Sequence, residues 1–100
     1  MRYRNLGNSG LKVSVVGLGA NNFGGRVDYQ QTEKIIRKAI DEGINFIDTA
    51  NIYGGGLSEE YIGKVLKNIP EPVLVATKVG MSRDGFPNGA GASRKHIIDQ

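Results

Sequence analysis

The chain has 100 residues, 39% of them hydrophobic, without low-complexity tracts, which bounds it to one soluble globular unit near the lower end of the stable size range. Lys and Arg number 13 against 10 Asp and Glu, but they are scattered as Arg2, Lys12, Lys34 and Lys64, so no basic stripe suited to nucleic acid forms. There is no cysteine, which excludes disulfides and thiolate metal sites and fits a cytoplasmic location; the opening Met1–Gly10 does not read as a secretory signal, and no apolar run is long enough to span a bilayer.

The opening places Gly7-Asn8-Ser9-Gly10 between two short extended stretches, the pattern of a β-hairpin. Val13 to Gly19 is apolar on both parities and reads as a strand buried on both faces. Asn21 to Gly25 leaves it as a loop. Asp28 with Gln31 three residues later predicts a capping box for a helix that ends at Gly43. Ile35, Ile36, Ala39 and Ile40 form its inner face, and Glu33 and Arg37, one turn apart, can pair on the other.

Ile44 to Asp48 reads as a second strand, followed by a loop to Gly56 and a helix capped by Ser58, with Glu59 and Glu60 in its first turn. Ile62, Val65, Leu66 and Ile69 give that helix its inner face. Pro70 and Pro72 stop it, and Val73 to Lys78 makes a third strand. A glycine-rich loop covers Val79 to Ala92, and Ser93 is placed to cap a third helix. Strands alternating with helices imply a parallel sheet, either doubly wound and open or closed into a barrel.

Reactive groups in a parallel α/β sheet collect where strands end and loops begin. Here those positions are Gly19-Ala20-Asn21, Asp48-Thr49-Ala50 and Lys78. Asp48 shares parity with Phe46, and Lys78 with Leu74 and Ala76, so the two opposite charges can meet on one interior face, where pairing offsets much of the cost of burying either. Tyr53, five residues beyond Asp48, can return over the strand ends and set a phenol beside the ammonium. A nearby cation favours phenolate, and such a phenol can protonate a carbonyl oxygen as it becomes an alkoxide. The same pattern also fits a turn-forming Asp and a snorkelling surface Lys.

The segment Gly43-Ile44-Asn45-Phe46-Ile47-Asp48-Thr49-Ala50-Asn51-Ile52-Tyr53-Gly54, continuing to Ser58-Glu59, resembles the aldo-keto reductase signature, as does Ala76-Thr77-Lys78. The resemblance runs from the N-terminal hairpin to the Ser93-Arg94-Lys95-His96-Ile97 helix start. It implies an α/β fold, the N-terminal part of a (β/α)8 TIM barrel, with residues 1–100 forming the N-terminal segment of one barrel domain. It also implies reversible hydride transfer between NADP(H) and an aldehyde, ketone or sugar carbonyl, with the corresponding alcohol as the other partner. Tyr53 would then be the general acid, Lys78 would lower its pKa, and Asp48 would hold Lys78 and lie near the nicotinamide ribose. Gly19, Ala20 and Asn21 would lie beside the nicotinamide, although Gly17 and Gly19 fit strand packing equally well.

The family's further catalytic residue is a histidine after the next strand. The only histidine, His96, stands instead at the third helix start, where a solvent-facing or capping position is expected. A barrel of this architecture needs about 250 residues, with phosphate-binding loops after its late strands. The remaining barrel segment of a longer parent chain is therefore expected, and the residues here alone would lack full activity. Two other functions stay open: a cofactor-sensing or partner-binding protein on the same scaffold, and a catalytically inactive fragment acting through exposed strand edges. Gly17 to Asn22 has Asn22 where a dinucleotide fingerprint needs glycine, and Gly54-Gly55-Gly56 lacks a P-loop ending. Tyr3, Tyr29 and Tyr61 are read as packing residues, and no metal-binding constellation is found.

Overall fold

The computed structural model describes residues 1–82 and 85–100. An antiparallel hairpin, β1 (Tyr3–Asn5) and β2 (Lys12–Ser14), precedes a three-stranded parallel sheet of β3 (Leu18–Gly19), β4 (Phe46–Asp48) and β5 (Leu74–Ala76), in that spatial order. Helix α1 (Tyr29–Asp41) joins β3 to β4, helix α2 (Leu57–Leu66) joins β4 to β5, and a short α3 (Arg94–Asp99) follows. The predicted succession, a hairpin followed by parallel strands alternating with helices, is what the chain forms. Of the glycine-rich loop predicted over Val79 to Ala92, residues 83 and 84 lie outside the described residues.

Both crossover helices cover one face of the sheet. Ile47 at the centre of β4 packs with Ile36 of α1, Ile62 and Val65 of α2, and Ala20 and Phe23 of the loop after β3, all nearly or fully buried. Alternation along β4 turns Phe46 and Asp48 to the opposite face, where they are half-buried. Tyr29 meets Tyr61 edge to face at 5.3 Å across the two helices, as its packing role requires.

The helix signals act largely as read. Asp28 Oδ1 accepts the Gln31 amide at 2.9 Å and starts α1; the Glu33–Arg37 pair closes at 3.3 Å on its exposed side. Gly43, at φ +92°, ends the helix turn and gives its carbonyl to the Tyr3 hydroxyl at 2.7 Å, which docks the hairpin. Asn45 completes that docking by accepting the Ser14 amide at 2.8 Å and donating to the Lys12 carbonyl at 3.1 Å. The hairpin is thus fastened at the start of β4, opposite the strand end that carries Asp48.

Three expectations need correction. Val13 to Gly19 is not one buried strand: Ser14 Oγ donates to the Val16 carbonyl at 2.6 Å, the chain bends at Val15-Val16, and both valines stand about half exposed (48% and 51%). Of the predicted inner face of α1, Ile36 and Ala39 are buried, but Ile35 is exposed; Thr32, one turn before Ile36, takes the inward position instead. His96 does not face solvent. Its amide donates to the capping Ser93 hydroxyl at 3.1 Å, and its ring is the side chain that α3 turns inward, buried while Arg94, Lys95, Ile97 and Ile98 are exposed. No helix among the described residues is long and apolar enough to cross a membrane.

Candidate active site

Register brings the strand ends to one level: Gly19 lies beside Asp48, and Asp48 beside Ala76. The backbone ladder continues past the strands, with the amides of Ala20, Thr49 and Asn51 donating to the carbonyls of Asp48, Ala76 and Lys78 at 2.9, 2.8 and 3.1 Å. The backbone carrying Asp48 and Lys78 is therefore held by these paired groups.

Lys78 Nζ donates to Asp48 Oδ1 at 2.8 Å and to the Thr49 carbonyl at 2.8 Å. The opposite charges meet as parity and spacing suggested. They are not deeply buried, however; their side chains are 51% and 48% exposed, so water still shares in their solvation. The Asp48 hydrogen bond is the main influence holding the Lys78 ammonium above the ordinary lysine range; partial desolvation opposes it and Tyr53 adds to it. Lys78 Nζ also stands 5.2 Å from the centre of the Tyr53 ring, within cation–π range.

Tyr53 reaches this position because the chain reverses tightly after it. Gly54, Gly55 and Gly56 have φ of +60°, +65° and +100°, left-handed values that a side chain would resist. At Gly54 an added Cβ would stand 2.6 Å from the Phe23 carbonyl oxygen, so the Tyr53 turn lies directly on the loop after β3. The Gly54-Gly55-Gly56 run serves this close approach.

Two shallow depressions meet at Tyr53. One, of about 240 Å³, is lined by Gly19, Ala20, Asn21, Asp48 and Tyr53. The other, of about 260 Å³, runs from Ala50 and Ile52 past Tyr53 and Lys78 to Gly80 and Met81. All the predicted site residues thus gather on one edge of the sheet, with the phenol shared between two concavities. His96 lines neither.

Ser58 departs from its expected role. The helix cap is Gly56, and Ser58 sits inside the first turn of α2, fully buried, bonded to the Thr49 hydroxyl at 2.8 Å and the Ala20 carbonyl at 3.0 Å. Glu59, beside it, accepts the Thr77 hydroxyl at 2.7 Å. The sequence reading places Thr49 at a strand end without a role of its own, and Ser58, Glu59 and Thr77 are not among its candidate site residues. The signal available was the placement of small polar residues directly after Asp48 and directly before Lys78.

The Aldo/keto reductase family model matches residues 15–100, a span that contains every one of these strand ends. The chain belongs to that family. Among its relatives, L-galactose dehydrogenase of Arabidopsis thaliana is 46% identical over 100 residues, covering 94% of this chain and 31% of that protein. A probable voltage-gated potassium channel subunit beta of the same plant is 38% identical over 103 residues, covering 99% of this chain and 31% of that protein. The solved holo form of an aldo-keto reductase from Bacillus halodurans superposes with a TM-score of 0.84 at 35% identity, over 99% of this chain and 33% of that one. The chain therefore spans about a third of the length of the relatives it matches. Its hairpin and βα units are the N-terminal part of the aldo-keto reductase barrel; the three parallel strands among the described residues do not close it.

Proposed function

We propose that the protein carrying this sequence is an NADP(H)-dependent oxidoreductase that interconverts an aldehyde, ketone or sugar carbonyl with the corresponding alcohol. The observation that carries this reading is the Asp48–Lys78–Tyr53 constellation: a carboxylate 2.8 Å from an ammonium that in turn faces a phenol ring, all at the strand ends. Family membership supports the same chemistry.

The wall of the first depression suits a flat ring. Gly19 has no side chain, and a Cβ added there would meet nothing within 4 Å, so the space above its backbone is open. Gly19, Ala20 and Asn21 would lie along a nicotinamide, and Asp48 near its ribose, as lining of that same depression. When bound, a nicotinamide supplies or accepts the hydride at the carbonyl carbon. In reduction, Tyr53 donates its phenolic proton to the carbonyl oxygen as negative charge develops there. The Lys78 ammonium stabilises the phenolate left behind, and Asp48 and the Thr49 carbonyl hold that ammonium in place. Solvent returns the proton to Tyr53.

The test is turnover of a panel of aldehydes, ketones and sugars by the full-length protein with NADPH and with NADH. Carbonyl reduction faster with NADPH is expected, and Lys78→Met should slow it strongly while cofactor binding survives in part. Nicotinamide binding with no turnover of any carbonyl would instead favour a second reading, that the scaffold senses the cofactor and binds a partner. The likeness to channel β-subunits favours that alternative. Absence of both binding and turnover in the full-length protein would overturn both readings.

A further inference from the structure

The first turn of α2 makes a polar contact beside each of the three strand ends that form the site. Ser58 Oγ donates to the Ala20 carbonyl. A serine has a single hydroxyl hydrogen, so in the second contact the Thr49 hydroxyl must be the donor and Ser58 the acceptor. The result is a directed chain, Thr49 to Ser58 to Ala20. Glu59 then accepts from Thr77. Ala20, Thr49 and Thr77 are the immediate sequence neighbours of Gly19, Asp48 and Lys78.

This arrangement depends on the three glycines before α2. With Gly56 as the cap, the serine hydroxyl is not used on the helix's own amides, and the turn brings Ser58 under the strand ends rather than leaving it at the surface. Leu57 is pressed against Gly24, whose added Cβ would fall 2.4 Å from the Leu57 Cβ, so the loop after β3 and the start of α2 cannot slide past each other freely. Apolar packing tolerates small shifts, whereas these hydrogen bonds weaken steeply with distance and angle.

We infer that Ser58 and Glu59 are positioning residues of this site, a clasp that holds Gly19, Asp48 and Lys78 at one level through Ala20, Thr49 and Thr77. The clasp stands on the hydrogen-bond geometry; its consequence for catalysis rests on the function proposed above.

The experiment compares Ser58→Ala, Glu59→Ala and Glu59→Gln in the full-length protein, with kcat and KM measured per folded molecule and amide hydrogen exchange measured on the same samples. Glu59→Ala and Ser58→Ala should each lower kcat roughly tenfold or more with a smaller change in KM, since modest misplacement of reacting groups is costly. Glu59→Gln keeps an oxygen that accepts from Thr77 and should recover most of the rate. Exchange at the amides of Ala20, Thr49 and Asn51 should quicken in the alanine variants, while those of Ile36 and Ala39 in α1 hold. Unchanged exchange at the strand ends would overturn the clasp, whether or not the protein reduces carbonyls. Faster exchange with unaltered kcat and KM, or a glutamine variant as slow as the alanine one, would overturn its positioning role. Lack of carbonyl reduction by the unsubstituted protein would count against the proposed function, leaving the exchange data to decide the clasp.

Discussion

The Lys78 ammonium and the Asp48 carboxylate, 30 residues apart in sequence, meet at 2.8 Å across adjacent strand ends with both side chains about half exposed. Such a pair contributes little to stability, because solvent screens it. Its position beside Tyr53 fits the chemical role proposed for it.

The pair has a pH signature. Lys78 is held above the ordinary lysine range, first by its hydrogen bond to Asp48, so its folded pKa exceeds the unfolded value of about 10.4. The stabilisation is therefore fully present below that unfolded value and is lost as pH rises through the folded one. Asp48→Asn should remove most of it. The difference in thermal midpoint between parent and variant should be small but positive at neutral to mildly alkaline pH and should shrink above about pH 10.4, where unfolded lysine loses its proton. A difference that grows with alkalinity would show the sign to be wrong.

Gly54 should tolerate no side chain. With φ at +60° and an added Cβ 2.6 Å from the Phe23 carbonyl oxygen, Gly54→Ala meets both backbone strain and a backbone clash. A loss of about 1–3 kcal/mol from the strained conformation alone is expected in urea unfolding, with the clash adding to it. Gly55, at a similar φ of +65° but with nothing within 4 Å of an added Cβ, should suffer the strain without the clash, and so lose less.

Ile35 and Ile36 should separate cleanly. Ile36 is fully buried among Ile47, Ile62 and Val65, so Ile36→Ala should cost about 2–5 kcal/mol of folding free energy. Ile35 is 38% exposed, and Ile35→Ala should cost markedly less. Equal losses in a denaturant titration would contradict the assigned helix face.

Much of this was legible in the sequence because the signals were local and their partners near. Asp28 and Ser93 cap their helices, Glu33 pairs with Arg37 one turn on, and glycine at 43 ends α1. The Asp48–Lys78 meeting was also legible, since parallel strands in register deliver residues of matching parity to one edge. What escaped was set by tertiary geometry. Apolarity could not tell that Ser14 would bend the chain and leave Val15 and Val16 outside the sheet. Ser58 has the chemistry of a cap, and only the succession of left-handed glycines moves the cap to Gly56 and frees the serine to reach Ala20 and Thr49. His96 is polar and next to a helix start, yet it is the one position of a short helix that turns inward.

The most direct measurement is the turnover of a model aldehyde by the full-length protein and its Tyr53→Phe variant, with NADPH binding followed by fluorescence in both. Removing the general acid should lower kcat by about 10²–10⁴-fold. Fold and cofactor affinity should be largely kept, since the phenol hydroxyl alone is lost from a ring that remains beside Lys78. Undiminished turnover in a folded Tyr53→Phe protein would contradict the assignment of Tyr53 as the proton donor.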